Sequence, residues 1–457
     1  MLDRSARGYP IETRRGADCY ALSLMLFLMM GSLALSLVPI VRDQLQEAPY
    51  LLSDSQIGLL TSVFMLTFAG GALLAGVAIS RWGGPTLLLG GVCLVGGSVL
   101  FAVSSSYPWF LLARFLQGVG GSAFLPGCNA LIAHSISPRY QDRALGIMGC
   151  GWGLGVIATL LIMPSVQEAG GFRAVFLTAA GIALLTVAVA AMHPKLRCRS
   201  RMLGSDPAFS GLARTIKSIA TNRRLLPILM VQVGGGAISV GVLTWTPGFL
   251  HDQKAASLAM AAYLTAGFGL AQLLGNPTGA AAMARWGKPV VLVVGLALIL
   301  LITALIPVVP GMAAVFICVV VVGFLSMVIF PAILGSIADV VPRSDQVGPA
   351  SGYMTLVGLL GSMLAPWLFG VLLDSHGATE EGSGYLWGYL LLGLFAMVGT
   401  VAAVAYMLVR RRDVSAAAGM AVAASLTGTS GAAGPTGVRV SVDTAPEMPA
   451  GTKKTGA

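Results

Sequence analysis

The chain has 457 residues, of which 10% are charged and 56% are apolar, and its mean hydropathy is +0.84. A soluble domain carries about 25% charged residues, so these proportions exclude a soluble enzyme and a disordered chain. A net charge of +10 would suggest a nucleic-acid partner for a soluble protein. In a membrane protein, however, basic residues collect in cytoplasmic loops, so we expect a lipid bilayer and no nucleic acid as partner. The composition therefore predicts an all-α membrane protein.

Runs of about 20 apolar residues predict transmembrane helices, because a backbone exposed to lipid must satisfy its own hydrogen bonds. We expect the first run to be a retained helix, because it is longer than the apolar core of a signal peptide. The twelve predicted spans are 21–41, 57–79, 87–105, 109–134, 145–164, 174–192, 226–249, 256–280, 289–308, 311–338, 347–372 and 385–409.

The basic residues predict the orientation of these spans. With the N-terminus in the cytoplasm, 24 of the 28 basic residues face the cytoplasm, three face the other side and one, Arg114, lies within a span. This asymmetry supports an even number of helices and places both termini in the cytoplasm. We therefore predict a multi-pass protein of the inner (plasma) membrane of a bacterial-type cell.

A basic loop after span six divides the predicted spans into two sets of six. The last part of the chain is rich in Ala, Gly, Ser, Thr and Pro without an apolar period, which predicts disorder. The predicted organisation is a cytoplasmic N-terminal segment (1–17), a first six-helix half (18–192), a cytoplasmic linker (193–225), a second six-helix half (226–409) and a disordered cytoplasmic tail (410–457).

The two halves share a loop motif at a constant offset of 204 residues. Arg81-Trp82-Gly83-Gly84-Pro85 follows span two, and Arg285-Trp286-Gly287-Lys288-Pro289 follows span eight. Pro138-Arg139 and Pro342-Arg343 follow spans four and ten at the same offset. A glycine permits a tight turn between helices, and an arginine interacts favourably with the C-terminal end of the helix before it. Matches at one offset predict two related halves with pseudo-symmetry.

The first of these loops resembles that of the major facilitator superfamily, whose pattern is Gly-x-x-x-Asp-Arg-x-Gly-Arg. Gly76, Arg81 and Gly83 match, whereas Ser80 replaces the Asp and Gly84 replaces the last basic residue. The resemblance covers about residues 18–410 and implies two six-helix bundles that transport a solute by alternating access. In the family the Asp helps to close the cytoplasmic gate, and Ser80 lacks that charge. The predicted gating residues are Gly76, Ser80, Arg81, Gly83, Arg139, Arg285, Gly287 and Arg343.

Arg114 is the strongest candidate for substrate binding. Arg114, Gln117 and Gly118 are similar to a family pattern, Arg-x-x-Gln-Gly, in span four. A charge inside a span normally faces the bundle interior and has a partner there. Two interpretations stay open: Arg114 lines the cavity, where it attracts an anion or bonds the backbone of span one, or its side chain snorkels to the membrane surface.

Further polar and aromatic residues within the spans are candidates for the same cavity. The resemblance implies a cavity formed by spans one, four, seven and ten, with contributions from two, five, eight and eleven. Hydrogen bonding between helices is the alternative use of these side chains. The other predicted substrate-binding residues are Asn129, Trp152, Gln232, Trp245, Gln272 and Tyr353.

These patterns predict a gradient-driven secondary transporter of a small organic or inorganic anion, because no nucleotide-binding motif is present. We expect a monomer without cofactor, metal ion or catalytic residues, and a coupling ion remains compatible with the sequence. The 20 methionines leave the export of hydrophobic drugs open as an alternative. A receptor or assembly factor of the same fold that transports nothing is a further alternative, because the loop motif is degenerate.

Overall fold

The computed structural model describes residues 11–197, 225–340, 344–378 and 382–426. The elements of these residues are all helices, as predicted. They are α1 (Arg14–Leu35), α2 (Val38–Gln46), α3 (Asp54–Trp82), α4 (Gly84–Val103), α5 (Tyr107–Gly121), α6 (Phe124–Ser135), α7 (Pro138–Met192), α8 (Pro194–Arg197), α9 (Leu226–Lys254), α10 (Leu258–Trp286), α11 (Lys288–Leu305), α12 (Met312–Val340), α13 (Ser344–His376) and α14 (Gly384–Leu426).

Ten stretches of the described helices are long and apolar enough to cross a membrane. One of them, α7, is 55 residues long and breaks at Gly171, whose φ of +69° is not helical, so it contains predicted spans five and six. Helices α5 and α6 together cover predicted span four. The described helices are therefore consistent with twelve crossings.

The predicted turns after spans two and eight are confirmed. Gly83 and Gly287 have φ values of +67° and +79°, and each ends one helix and precedes the next. A side chain would be strained in this left-handed conformation, which explains the glycine at both positions. Pro85 and Pro289 follow in the first turns of α4 and α11, where a missing N–H costs little.

The start of α3 fixes one candidate functional side chain. Ser53 is the N-cap: its Oγ accepts the N–H of Gln56 at 3.3 Å, and Gln56 Oε1 accepts the N–H of Ser53 at 3.0 Å. This reciprocal pair is a capping box. Because Ser53 fills the N-cap role, the carboxylate of Asp54 is available for other contacts.

Residues up to Leu408 form one compact unit, in which the first half meets the second chiefly through two helix pairs, α3 with α13 and α7 with α10, and through a smaller contact of α2 with α9. Gly58 on α3 approaches the backbone of Pro366, and Gly370 on α13 approaches the backbone of Asp54. Any side chain at either glycine would collide with that backbone. We call the end of the bundle where α2 and α9 finish the Arg42 end, and the opposite end, where α3 finishes, the Arg81 end.

The last helix extends further than predicted, into the segment for which we expected disorder. Residues from Val409 form a second unit, of which 409–426 are described and helical, although we expected disorder from residue 410. The hydropathy falls at Arg410–Arg412, but the following residues are rich in alanine, which has the highest helix propensity. Most of the predicted linker (198–224), the tail from 427 and the first ten residues lie outside the described residues.

Candidate functional site

Arg114 lies on α5 and is completely buried. Its Nε donates to the carbonyl oxygen of Leu60 at 3.1 Å, and its Nη1 donates to the carbonyl oxygen of Ala34 and to Oε1 of Gln117, both at 2.7 Å. Its guanidinium carbon also lies 4.5 Å from the ring centroid of Phe64. The side chain therefore does not snorkel. It points into the bundle and bonds the backbone of span one, as one interpretation predicted.

Arg114 and Gln117 join four spans. Gln117 Nε2 donates to Oγ of Ser98 on α4 at 2.9 Å, while Arg114 reaches α1 and α3. Arg114 Nη2 is buried and has no hydrogen-bond partner among the residues that the structure describes. A buried donor without a partner is costly, so Nη2 is the atom of this group that is available for an acceptor from outside the chain. Substrate binding by Arg114 stays a prediction.

Trp152 and Gln272 lie where α7 meets α10. The ring centroid of Trp152 is 6.2 Å from that of Phe68 on α3, in an edge-to-face arrangement. Gln272 is buried, and its Oε1 has no partner in the described part of the chain. Nearby, a Cβ on Gly149 would lie 3.6 Å from Nδ2 of Asn276. The two helices that carry Trp152 and these side-chain amides thus pack against each other at the junction of the two halves.

Trp245 takes a different position from Trp152. It is 1% exposed on α9, and its ring stacks on Phe369 with 5.3 Å between centroids. Its Nε1–H donates to the carbonyl oxygen of Pro366 at 3.1 Å. In this conformation Trp245 therefore joins α9 to α13 through contacts with protein atoms.

The remaining predicted substrate residues are separated from one another. Gln232 on α9 packs against Gly358 on α13, and its Oε1 is buried without a described partner. Asn129 is exposed on α6. Tyr353 lies on α13, but its side chain is outside the described part of the chain.

The predicted gating residues that are described lie at the Arg81 end. Arg81, Arg139 and Arg285 are exposed, and Arg81 and Arg285 occupy the last turns of α3 and α10 as predicted. Gly76 is exposed, and no described atom lies within 4 Å of the place of its missing Cβ. Outside the described part are the Ser80 side chain and Arg343.

A buried charge cluster at the opposite end was missed by the sequence analysis. Arg42 on α2 is 4% exposed. Its Nε donates to Asp54 Oδ1 at 2.9 Å, and its Nη1 donates to Asp252 Oδ2 at 2.7 Å. Asp252 belongs to α9, so this ion pair joins the two halves. We call Arg42, Asp54, Asp252, Asp374 and Tyr385 the Arg42 cluster.

Two further members of the cluster strengthen the junction. The carboxylate of Asp374, on α13, accepts the backbone N–H groups of Asp54 at 2.8 Å and Ser55 at 3.0 Å. These donors belong to the first turn of α3, where they have no partner within the helix and where the helix dipole favours a negative charge. Tyr385 OH, on α14, donates to Asp252 Oδ2 at 2.6 Å.

Gly248 provides the space for the cluster. A Cβ at this position of α9 would lie 2.7 Å from Arg42 Nη1 and 2.8 Å from Tyr385 OH. The sequence contains one signal for Arg42, which is among the three basic residues assigned to the side away from the cytoplasm. It contains no signal for the pairing with Asp252, which lies 210 positions further along the chain.

The contact between α7 and α10 differs between the two ends. Towards the Arg42 end, the hydroxyls of Ser165 and Tyr263 are 3.4 Å apart. Near the middle, a Cβ on Gly153 would lie 3.0 Å from the carbonyl oxygen of Gly269. Towards the Arg81 end, no described atom lies within 4 Å of the Cβ position of Gly146. Among the described residues, the close approaches between these helices at Ser165 and Gly153 therefore lie towards the Arg42 end and near the middle, and Gly146 makes none.

Comparison with known proteins identifies the family. The family model described as Major Facilitator Superfamily matches residues 20–266 and 250–427. The chain belongs to the major facilitator superfamily. The predicted resemblance and fold class are thereby confirmed, and the family is one of membrane transporters. The helix pairs and the loop motif described above are thus features of a superfamily member.

Curated relatives of this superfamily member are named as transporters of small organic solutes. The 3-(3-hydroxy-phenyl)propionate transporter of Escherichia coli (strain K12) is 32% identical over 28% of this chain and 32% of its own length. The gentisate transporter of Corynebacterium glutamicum is 25% identical over 70% of this chain and 74% of its own length. The cis,cis-muconate transport protein of Acinetobacter baylyi is 23% identical over 45% and 52%. The chain matches between a third and a half of the length of the first curated relatives.

Solved structures agree with the fold. A bacterial homologue of the human lysosomal transporter Spinster, in an inward-facing and unoccupied conformation, is 19% identical with a TM-score of 0.67, covering 87% of this chain and 98% of that one. A mutant of the nucleoside transporter NupG is 14% identical with a TM-score of 0.67, covering 86% and 98%. At these identities the likeness shows the fold alone.

Proposed function

We propose that this superfamily member is a gradient-driven secondary transporter of small organic acid anions that works by alternating access. The compounds in the names of three relatives, a propionate, gentisate and muconate, support the substrate class because each carries a carboxylate. The observation that carries the mechanism is the charge cluster around the buried Arg42, which joins the two halves at the Arg42 end, opposite the exposed arginines of the Arg81 end. From it we infer that the halves separate towards the Arg81 end.

The positive-inside rule gives these ends their sides. Arg81, Arg139 and Arg285 lie at the Arg81 end, which we assign to the cytoplasm together with both termini. The Arg42 end then faces away from the cytoplasm. In this assignment the structure is the state closed to the outside, in the inner membrane of a bacterial-type cell. We propose that the protein works as a monomer, because the candidate residues all lie in one chain.

The candidate site fits an organic acid with an apolar or aromatic body. Trp152 and Phe68 provide ring surface for that body, and edge-to-face contacts between aromatic rings are favourable. The amide oxygen of Gln272, which has no partner in the described part of the chain, can accept a hydrogen bond from a hydroxyl group. Arg114 supplies positive charge through Nη2, the guanidinium nitrogen that has no partner in the described part of the chain and can donate to a carboxylate. We assign these four residues to the substrate pathway.

The test is uptake into proteoliposomes that contain the purified protein. We expect saturable uptake of radiolabelled gentisate or 3-hydroxybenzoate down an imposed concentration gradient of that acid. The matched control compound is 3-hydroxybenzamide, which has the same ring and hydroxyl without the charge and is expected not to compete. Export of hydrophobic dyes without uptake of acids would favour drug efflux instead. A monodisperse protein that moves no solute of a broad panel would favour the receptor or assembly factor.

Arg114 gives a second prediction. Arg114→Gln is expected to abolish uptake of the acid, because it removes the charge and leaves the carbonyl oxygens of Leu60 and Ala34 without their donor. Arg114→Lys keeps the charge but loses the fork, so we expect weak uptake with a raised KM. Arg173→Gln is the matched control, because Arg173 is an exposed arginine. Normal uptake by a monodisperse Arg114→Gln protein would contradict the assignment.

A further inference from the structure

A second contact between charged residues joins the halves beside the Arg42 cluster. His251, on α9, places Nε2 at 3.5 Å from Oδ2 of Asp43, on α2. Its other ring nitrogen, Nδ1, lies 2.8 Å from the carbonyl oxygen of Ala256. Both ring nitrogens of His251 therefore face oxygen atoms. Asp43 belongs to the first half and His251 to the second, so this pair is broken whenever the halves separate at this end.

The geometry defines how many protons the pair holds. A carbonyl oxygen can only accept, so the hydrogen bond to Ala256 requires a proton on Nδ1 of His251. A neutral imidazole would then direct the lone pair of Nε2 at the carboxylate of Asp43, and two acceptors would face each other. One additional proton resolves this, either on Nε2 of His251 or on Asp43. The closed pair can therefore hold one more proton than a neutral histidine and an ionised aspartate carry together.

The charges of the surrounding elements favour that proton. Carboxylates outnumber guanidinium groups here, and a nearby negative charge favours a protonated neighbour. Arg42 stays charged at all relevant pH values, so it does not titrate. Lys254 is directed to the carbonyl oxygen of Val309, at 3.2 Å. The charged or titratable groups around the pair are Arg42 and Glu47 on or next to α2, Asp54 on α3, Asp252 and Lys254 on α9, Asp374 on α13 and Tyr385 on α14.

We propose that His251 and Asp43 form a proton-binding site that stabilises the state closed at the Arg42 end. The inference rests on the proposed function in one respect, since it assumes that the two halves alternate between closed and open states. Because the closed pair gains a partner for the proton, the closed state binds a proton more tightly than the open state. By linkage, protons favour closure, and this stabilisation is lost as the pH rises. His251 and Asp43 are 39% and 24% exposed, so protons can reach them from the solution at this end.

The test measures the conformation directly. Spin labels at Glu168→Cys and Met260→Cys report the separation of α7 and α10 at the Arg42 end, in a full-length background whose six native cysteines are replaced by serine. Lowering the pH from 8 to 5.5 crosses the range in which imidazole titrates. We expect the ratio of closed to open molecules to rise as the pH is lowered. The largest possible rise is the factor by which the closed pair binds the proton more tightly than the open pair.

Two variants assign the response to this pair. His251→Gln and Asp43→Asn each replace one member of the pair by a neutral amide of similar shape, and each is expected to remove the pH dependence. His376→Gln is the matched control, because His376 is an exposed histidine on α13 whose Nδ1 contacts its own segment at Ser375 and Leu372. We expect this control to respond like the parent. An unchanged response in both pair variants, or a parent without any response, would overturn the proposal.

The readout also separates this inference from the proposed function. It needs no substrate, so a protein that closes at low pH but transports no organic acid would contradict the substrate class and leave the proton site standing. A protein that transports organic acids with a pH-independent distance distribution would contradict the proton site and leave the transport proposal standing.

Discussion

The two ends of the helix bundle hold the halves together in different ways. At the Arg42 end, one buried arginine bonds carboxylates of both halves, and Asp374 caps the first turn of α3 from the other half. At the Arg81 end, no described atom lies within 4 Å of the Cβ position of Gly146, and the nearby arginines of the described helices are exposed. The family's loop Asp is Ser80 in this chain. In the described part of the chain, the ion pairs between the halves therefore lie at the end where the family motif is not.

The largest expected effect comes from removing the centre of the cluster. Arg42→Gln leaves the buried carboxylate of Asp54 and the half-buried carboxylate of Asp252 without their cation, and breaking a buried pair costs about 3–5 kcal/mol. Because the open state does not contain this junction, we expect the closed state to lose most of its population. Labels at Glu168→Cys and Met260→Cys should then show the longer distance. Arg173→Gln, at an exposed arginine, is the control and should leave the distribution unchanged.

A smaller effect is expected where the cluster is crowded rather than removed. Gly248→Ala places a methyl group against Arg42 Nη1 and Tyr385 OH, and overpacking of this kind costs about 1–3 kcal/mol. We expect the fraction of closed molecules to fall by less than in Arg42→Gln, because the ion pairs of Arg42 can partly re-form beside the added methyl group. Gly235→Ala on the same helix is the matched control, because its Cβ would lie at an ordinary 3.4 Å from Ile329. Equal effects of the two substitutions would show that the cluster is not specifically disturbed.

The smallest effect should come from a single hydroxyl. Tyr385→Phe removes the hydrogen bond to Asp252 Oδ2 and keeps the ring against Phe249 and Phe369. A hydrogen bond to a charged group contributes about 1.5–3 kcal/mol. Because Asp252 is half-buried and keeps Arg42 as a donor, we expect an effect at the lower end of that range. We expect a modest shift towards the open state in the same distance measurement. A shift as large as that of Arg42→Gln would mean that Tyr385, rather than Arg42, is the main support of the junction.

Local features of the fold could be predicted from the sequence because they depend on neighbouring residues. Apolar runs predicted the spans, and the repeated glycines at 83 and 287 predicted the turns that the structure shows. The extension of the last helix to Leu426 was missed because a hydropathy criterion stops at three consecutive arginines, whereas helix propensity does not.

The candidate site was predictable only in part. Arg114 stands out as a charge within a span, and its bond to the backbone of span one follows from the cost of burying it unpaired. The cross-half partners of Arg42 and His251 could not be predicted, because a lone sequence does not show which of several distant aspartates will be adjacent. Trp245 and Trp152 look alike in the sequence, yet one packs on Phe369 within its own half and the other lies at the junction.

One measurement tests the difference between the two ends most directly. Pulsed electron paramagnetic resonance can measure the distance between α7 and α10 at both ends. Spin labels at Glu168→Cys and Met260→Cys report the Arg42 end, and labels at Asp142→Cys and Ala284→Cys report the Arg81 end. The two label pairs are measured in separate samples of the same cysteine-free background at pH 6. We predict a short, narrow distance distribution at the Arg42 end and a longer one at the Arg81 end. The reverse order, or equally short distances at both ends, would contradict the account.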